Sequence, residues 1–248
     1  MADKENEALL ISMQGISKVF PGVQALVNVD FSLRYGEIHA LMGGNGAGKS
    51  TLIKTLTGVE KPDSGRIFLA GKEIHPKSTQ HVQSLGISTV YQEINLCPNL
   101  TVAENILIGR EPHKWGRIDW KAMNAQAHEI LERILGLDID VTHTLGSYSV
   151  AIQQMVAIAR ALEIEAAKVL ILDEPTSSLS VAETEQLFQV MRKLKGDNVG
   201  IIFITHFINQ VYEISDRITV IRNGTLVGTW ETASLPRMEL IVKMIGKS

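Results

Sequence analysis

The sequence predicts an α/β fold: a core with a mostly parallel sheet, an antiparallel β-subdomain beside it, and an inserted helical subdomain. Three observations predict this. The apolar runs at residues 37–42, 168–172 and 200–205 are short and strand-like, the last two reading as buried core strands. From residue 101 to about residue 167, apolar residues recur instead at three- and four-residue intervals, the helical period. A glycine-rich stretch, Gly43-Gly44-Asn45-Gly46-Ala47-Gly48-Lys49-Ser50, joins the first strand to a helix opening at Thr51.

The elements follow in order. Residues 1–7 are polar and acidic and read as a flexible N-terminus, not a signal peptide. Val29, Phe31 and Leu33 alternate with Asn28, Asp30 and Ser32, the period of a half-buried strand. Residues 66–70, followed by Gly71-Lys72, read as a further strand and a turn, giving a small, partly antiparallel sheet. Residues 86–91 return to the core as a strand. Helices are expected at 122–135 and 150–162, with a loop at 136–146 between them. Lys114-Trp115-Gly116-Arg117 is basic and aromatic and reads as an exposed turn. Ser180 and Glu183 have capping-box spacing and open a helix whose Leu187, Val190, Met191 and Leu194 share one stripe. Asn223-Gly224, between residues 217–222 and 225–230, is a strong hairpin signal. These readings place one domain at 8–248, with β-subdomain and core at 8–91 and 167–248 and the helical subdomain at 92–166.

Bulk properties narrow the function classes. At 248 residues the chain can bury a sizeable centre, and 45% hydrophobic with 21% charged residues is ordinary for a globular protein. A net charge of −3 gives no support to a nucleic-acid-binding surface. The single cysteine, Cys97, excludes an internal disulfide and suits a reducing compartment. With no His or Lys beside it to activate a thiolate, Cys97 reads as a half-buried apolar side chain. The apolar runs are too short to span a bilayer, so any work at a membrane is done from its side.

The chemistry is concentrated in a few motifs. The stretch from Gly43 to Ser50 fits the phosphate-loop pattern G-x-x-x-x-G-K-[ST] in the strand–loop–helix context its mechanism needs. Glycines let main-chain N–H groups converge on one anion, and the helix N-terminus adds positive charge. Lys49 reaches the β- and γ-phosphates, and the Ser50 hydroxyl can ligate Mg²⁺. The expected ligand is a nucleoside triphosphate. Asp173 and Glu174 end an apolar strand; Asp173 suits a water-mediated Mg²⁺ contact, and Glu174 can orient and deprotonate a water for in-line attack. Gln92 and His206 end two other strands. The Gln92 amide could bridge Mg²⁺ and the attacking water, and His206 could contact the γ-phosphate; either could also be a satisfied polar residue at a strand end. The remaining histidines show no metal-ligand spacing.

The order of Phe20, Gly43 to Thr51, Gln92, Ser149-Val150-Ala151-Ile152-Gln153, Asp173-Glu174-Pro175, Ser177 to Ser180 and His206 resembles an ABC-type ATPase cassette over nearly the whole chain. The segments Phe20-Pro21-Gly22-Val23-Gln24-Ala25-Leu26, Val90-Tyr91-Gln92-Glu93 and Glu174-Pro175-Thr176-Ser177-Ser178-Leu179 are similar to the N-terminal cassette of monosaccharide importers of the ribose and galactose type. The resemblance implies a P-loop NTPase core that hydrolyses ATP with Mg²⁺ and powers sugar import, galactofuranose being one candidate. It implies that Phe20 stacks on adenine, with a core role for that ring as the competitor. It further implies that Gln92 begins the loop sensing the permease, that His206 is the switch histidine, and that Ser149 caps nucleotide held by a second cassette. The implied partners are membrane permease subunits, a second cassette from the same longer polypeptide and, indirectly, a periplasmic sugar-binding protein. The implied location is the cytoplasmic face of the inner membrane, peripherally bound.

The family pattern is not followed everywhere. Gly44 stands where many relatives have Glu, at a tolerant position. The signature usually reading Leu-Ser-Gly-Gly-Gln is Tyr148-Ser149-Val150-Ala151-Ile152, and Ser180 replaces a common Asp. Ser149 keeps a hydroxyl at a helix N-terminus, but Ala151 adds a Cβ where close phosphate approach favours glycine. The expectation is one competent and one impaired nucleotide site per transporter. Two other readings stay open: a ribosome- or DNA-associated ABC ATPase, for which no basic linker or coiled-coil insertion appears, and a non-catalytic ATP-binding dimerisation module, against which Asp173, Glu174 and His206 argue.

Overall fold

The chain's computed structural model describes residues 9–90, 96–163 and 167–246. β3 (Ile38–Met42) is buried at every residue, as its unbroken apolar sequence requires of a strand covered on both faces. β10 (Gly200–Ile204) is equally buried, and β9 (Val169–Asp173) is buried until its last residue. Each of their large apolar side chains contributes about 1.5–3 kcal/mol on leaving water.

These strands centre a six-stranded sheet. With β6 (Ile87–Val90), β11 (Arg217–Arg222) and β12 (Thr225–Glu231), its order is β12-β11-β3-β10-β9-β6. All neighbours are parallel except β11–β12, the hairpin closed by Asn223-Gly224. Both turn residues are left-handed, φ 50° and 74°, the geometry that favours Asn-Gly.

A second sheet has the order β2-β1-β4-β5, with every pair antiparallel. Its strands are β1 (Leu9–Phe20), β2 (Val23–Arg34), β4 (Ser64–Leu69) and β5 (Lys72–Ile74). In β2, Leu26, Val29, Phe31 and Leu33 face the core. β1 is the main element the sequence pattern does not announce. Its alternation is broken by shifts of register around Gly15, whose φ is +63°.

The two sheets are tied by a buried polar cluster beneath β3. His39 Nε2 lies 2.7 Å from Thr219 Oγ1, and its ring packs 4.9 Å from Phe31. His39 Nδ1 is 3.3 Å from Glu37, but off a hydrogen-bonding direction, so Thr219 fixes the ring. The Glu37 carboxylate accepts the Arg34 N–H and pairs with Arg217 at 3.2 Å.

The helices match or extend the expected ones. Trp120–Leu135 and Val150–Glu163 pack together with Val102–Leu107 in one buried cluster. The helix Val181–Gly196 starts at the expected Ser180–Glu183 capping box, and Leu187, Val190, Met191 and Leu194 are all buried. Phe188 from this helix meets Phe203 of β10 edge-on at 6.2 Å. Shorter helices at Thr79–Ser84, Ile208–Ile214 and Arg237–Ile245 are additional to the sequence reading. Cys97 corrects an expectation: its side chain is exposed, while its main-chain N–H and C=O are bonded to the side chain of buried Asn105.

Candidate active site

The carboxyl ends of β3, β9 and β10 lie side by side, because Ile204 pairs with Leu41 on one flank and Asp173 on the other. Everything that follows these strands is therefore delivered to one edge, the place where open parallel sheets bind ligands.

β3 runs into the loop 43–48 and then into the helix Lys49–Leu56. Gly43 has φ +153°, and a Cβ there would lie 2.2 Å from the Ile221 carbonyl oxygen. Gly48, at φ +109°, would place a Cβ 2.7 Å from the Ala25 carbonyl. Only glycine lets the loop close so tightly against β2 and β11. Gly44 carries no such constraint: its φ is not positive and nothing lies within 4 Å of an added Cβ. Asn45, Gly46 and Ser50 are exposed, while Ala47 is buried beneath them.

Lys49 folds its ammonium onto the loop, donating to the carbonyls of Gly43 at 2.8 Å and Gly44 at 3.0 Å. Burial pushes its pKa down, against the upward pull of Glu174 and Asp173. Burial pushes the Asp173 carboxyl up, the Glu174 charge adds to this, and Lys49 opposes it. These three side chains therefore share one electrostatic neighbourhood, although they are distant in sequence.

Glu174 follows β9 with φ +48°, a left-handed conformation uncommon for a residue of this kind. Its N–H donates to the Ile204 carbonyl at 2.9 Å, so β10 fixes the turn that aims the side chain. Glu174 Oε2 meets His206 Nδ1 at 3.1 Å. Two further bonds brace the segments beside this pair: the Phe207 N–H donates to Thr205 Oγ1, and Thr176 Oγ1 donates to the side-chain Oε1 of Gln210 at 2.6 Å.

Phe20 is half-buried, outside the buried clusters, at the rim of a 550 Å³ cleft. The opposite wall is Gly46, Ala47, Gly48, Lys49, Ser50 and Thr51. A flat ring on one side and a phosphate-loop geometry on the other suit a nucleotide's base and its polyphosphate. A larger 620 Å³ cavity lies elsewhere, between residues 58–67 and 74–77, away from these groups.

Ser149 precedes the helix Val150–Glu163, accepting the Ile152 N–H at 3.4 Å. Ser149 and Val150 are exposed, whereas Ala151 is 1% exposed, so its methyl is buried and not presented at the surface. Gln92 lies outside the described residues. Among the described residues no group of three or more His, Cys, Asp and Glu could hold a metal.

The sequence reading missed the brace on the phosphate loop. The Gly224 N–H donates to the Ala47 carbonyl at 2.9 Å, and the Val27 N–H donates to the Gly224 carbonyl at 2.8 Å. Asn223, Gln24 and Ala25 complete the cleft wall. Asn223-Gly224 announced a hairpin; nothing local announced where its turn would rest.

Comparisons with known proteins agree with this geometry. The profile of the ABC transporter family matches residues 26–177. The chain is 56% identical over 238 residues to the galactofuranose transporter ATP-binding protein of Escherichia coli (strain K12), covering 96% of this chain and 47% of that protein. It is 52% identical over 240 residues to the fructose import ATP-binding protein of Bifidobacterium longum, covering 96% and 46%. The chain thus spans about half the length of the curated relatives it matches. A crystal structure of an ATP-binding cassette of an ABC transporter in its ADP conformation superposes with TM-score 0.81 at 27% identity, over 96% of this chain and 97% of that one.

Proposed function

Because this chain belongs to the ABC transporter family, we propose that it is the ATP-hydrolysing cassette of a monosaccharide importer, acting peripherally on the cytoplasmic face of a membrane. The observation that carries this reading is the Glu174–His206 contact at 3.1 Å, set beside Lys49 and the phosphate loop.

The roles follow from placement. Main-chain N–H groups of residues 43–50 and the helix N-terminus take the phosphates, and Lys49 exchanges its loop carbonyls for phosphate oxygens. Phe20 stacks on adenine across the cleft. Glu174 orients a water and accepts its proton, while His206 holds that carboxylate and reaches toward the γ-phosphate. Mg²⁺ fits this donor set: a serine hydroxyl from Ser50 and one carboxylate, Asp173, leave the remaining positions to phosphate, water and Gln92. When bound, it would offset the charge that builds between the β- and γ-phosphates.

The elements within 92–166 act as the helical subdomain that, with the Gln92 loop, leans on the permease as the cassettes close. Ser149 serves nucleotide on a second cassette, the other half of a longer polypeptide; with the Ala151 methyl turned inward, it is Ile152, which cannot hydrogen-bond, that makes that partner site the impaired one. A periplasmic sugar-binding protein delivers the cargo. Relatives for galactofuranose and for fructose match almost equally well, so the sugar is to be found by measurement.

The test is transport by full-length subunit and permease in proteoliposomes, scanned over galactofuranose, fructose, ribose and galactose. ATP-dependent uptake of one sugar, lost in Glu174→Gln while ATP stays bound, is the expected result. ATP hydrolysis indifferent to permease and to every sugar would overturn the transport reading, and equal turnover at both nucleotide sites would remove the asymmetry.

A further inference from the structure

A two-stranded hairpin, β7 (His113–Lys114) and β8 (Arg117–Ile118), projects just before the helix Trp120–Leu135. Its turn residues, Trp115 and Gly116, are both left-handed, φ 56° and 75°. The same left-handed pair recurs at Ala70-Gly71 and Asn223-Gly224, where the first position is small. At the third hairpin that position holds a tryptophan. Left-handed backbone is unfavourable for a bulky side chain. The indole is also 93% exposed, and Ile108, Ile118 and Trp120 are exposed near it in sequence at 40%, 36% and 52%. Steric clash disfavours the conformation, and water disfavours the exposure.

Cations flank the indole at the tip, while the carboxylates lie at the base of the hairpin. Lys114 and Arg117 pair directly across the hairpin, and both are exposed. Neither has an ionic partner among the described residues. Of the nearby carboxylates, Glu111 is engaged by the Gly109 N–H and Asp119 caps the following helix through the Ala122 N–H. An open surface surrounds the tip: a Cβ on Gly116 would meet nothing within 4 Å.

We infer that this hairpin is a membrane-interface contact, its indole seated at headgroup depth of an anionic bilayer and Lys114 and Arg117 on the phosphates. Tryptophan flanked by cations prefers that layer, where its ring is desolvated and its N–H stays wet. Of the three tip residues, lysine is depleted from protein interfaces while tryptophan and arginine are enriched there, so permease-bearing vesicles form the opposing arm of the test. The inference rests on the hairpin alone, independently of the nucleotide site.

The test uses phosphatidylglycerol vesicles with brominated acyl chains at low salt and millimolar lipid. Tryptophan emission of the wild-type chain should be quenched, less so at high salt or with phosphatidylcholine alone. Trp115→Asn should lose most of the quenching while melting at the same or a higher temperature, because Asn suits the turn better. Lys114→Glu and Arg117→Glu should each weaken vesicle binding by about fivefold or more. ATP binding should be unchanged in all three, which separates a failure here from a failure of the nucleotide reading. Undiminished quenching in Trp115→Asn, no vesicle binding by the wild type, or binding seen only when the vesicles carry permease protein would each overturn the lipid assignment.

Discussion

Glu174 and His206 meet at 3.1 Å because Asp173 and Ile204 are register partners on adjacent parallel strands. Glu174 is the first residue after β9 and His206 the second after β10, and each is held by a neighbour, the Ile204 carbonyl for Glu174 and the Thr205 turn for His206. Glu174→Gln should keep ATP affinity near wild type and lower phosphate release by about 10²- to 10⁴-fold, the usual contribution of a positioned base. His206→Ala should lower release by about 10²-fold without loss of binding. Single-turnover hydrolysis alongside equilibrium ATP binding, in the full-length subunit, separates the two steps; near-normal release in Glu174→Gln would remove it from the role of base.

The glycines of the phosphate loop are not equivalent. Gly43→Ala must displace the Ile221 carbonyl, 2.2 Å from its new methyl, at a φ of +153°. A loss of about 1–3 kcal/mol in stability is expected, with loss of ATP binding. Gly44→Glu meets open space and should change ATP affinity by no more than about twofold. Chemical denaturation and calorimetry read both effects.

Lys49 and Asp173 oppose each other in the same half-buried neighbourhood. Lys49→Ala removes a charge-assisted contact to phosphate and should weaken ATP binding by about tenfold to hundredfold. Asp173→Asn should do something less intuitive, raising the melting temperature at neutral pH while disabling metal-dependent turnover. The Asp173 carboxyl is held above its ordinary value, chiefly by burial, so its charged form disfavours the fold. That gain should shrink as pH falls toward the ordinary carboxylate range, where Asp173 is protonated in both folded and unfolded chains. Melting curves from neutral to acid pH decide this.

The cluster beneath β3 should contribute to the loss of stability in acid. Burial lowers the pKa of His39 below its ordinary 6.5, outweighing the upward pull of Glu37. Burial would raise Glu37, but His39, the Arg34 N–H and Arg217 together bring it below its ordinary 4.5. Both depressed groups stabilise the fold fully above their unfolded values and lose that contribution as pH falls through their folded ones. The loss should begin below about pH 6.5, where the unfolded chain takes up a proton that buried His39 refuses, and continue below about pH 4.5 with Glu37. His39→Gln should flatten the first part of this decline and leave the second. An unchanged pH dependence of melting between pH 7 and 5 in that variant would sink the assignment.

Local signals made much of this molecule legible. The phosphate loop, the Ser180–Glu183 cap, the stripe Leu187, Val190, Met191 and Leu194, and the turn at Asn223-Gly224 each depend on residues within one or two turns of chain. Spacing alone therefore revealed them. β1 escaped because the register shifts near Gly15 break the alternation a strand normally shows. Cys97 was misplaced because the bonds that fix its position run from Asn105 to its main chain and leave its thiol outside.

By itself the sequence determined which residues could grip a polyphosphate and which acid could ready a water, since those capacities reside in side-chain type and short spacing. Only the tertiary structure decided that Glu174 faces His206, that Lys49 and Asp173 share one half-buried field, and that Gly224 props Ala47 from a distant hairpin. Those relations are set by strand order and register between segments far apart in the chain, and no local pattern encodes them.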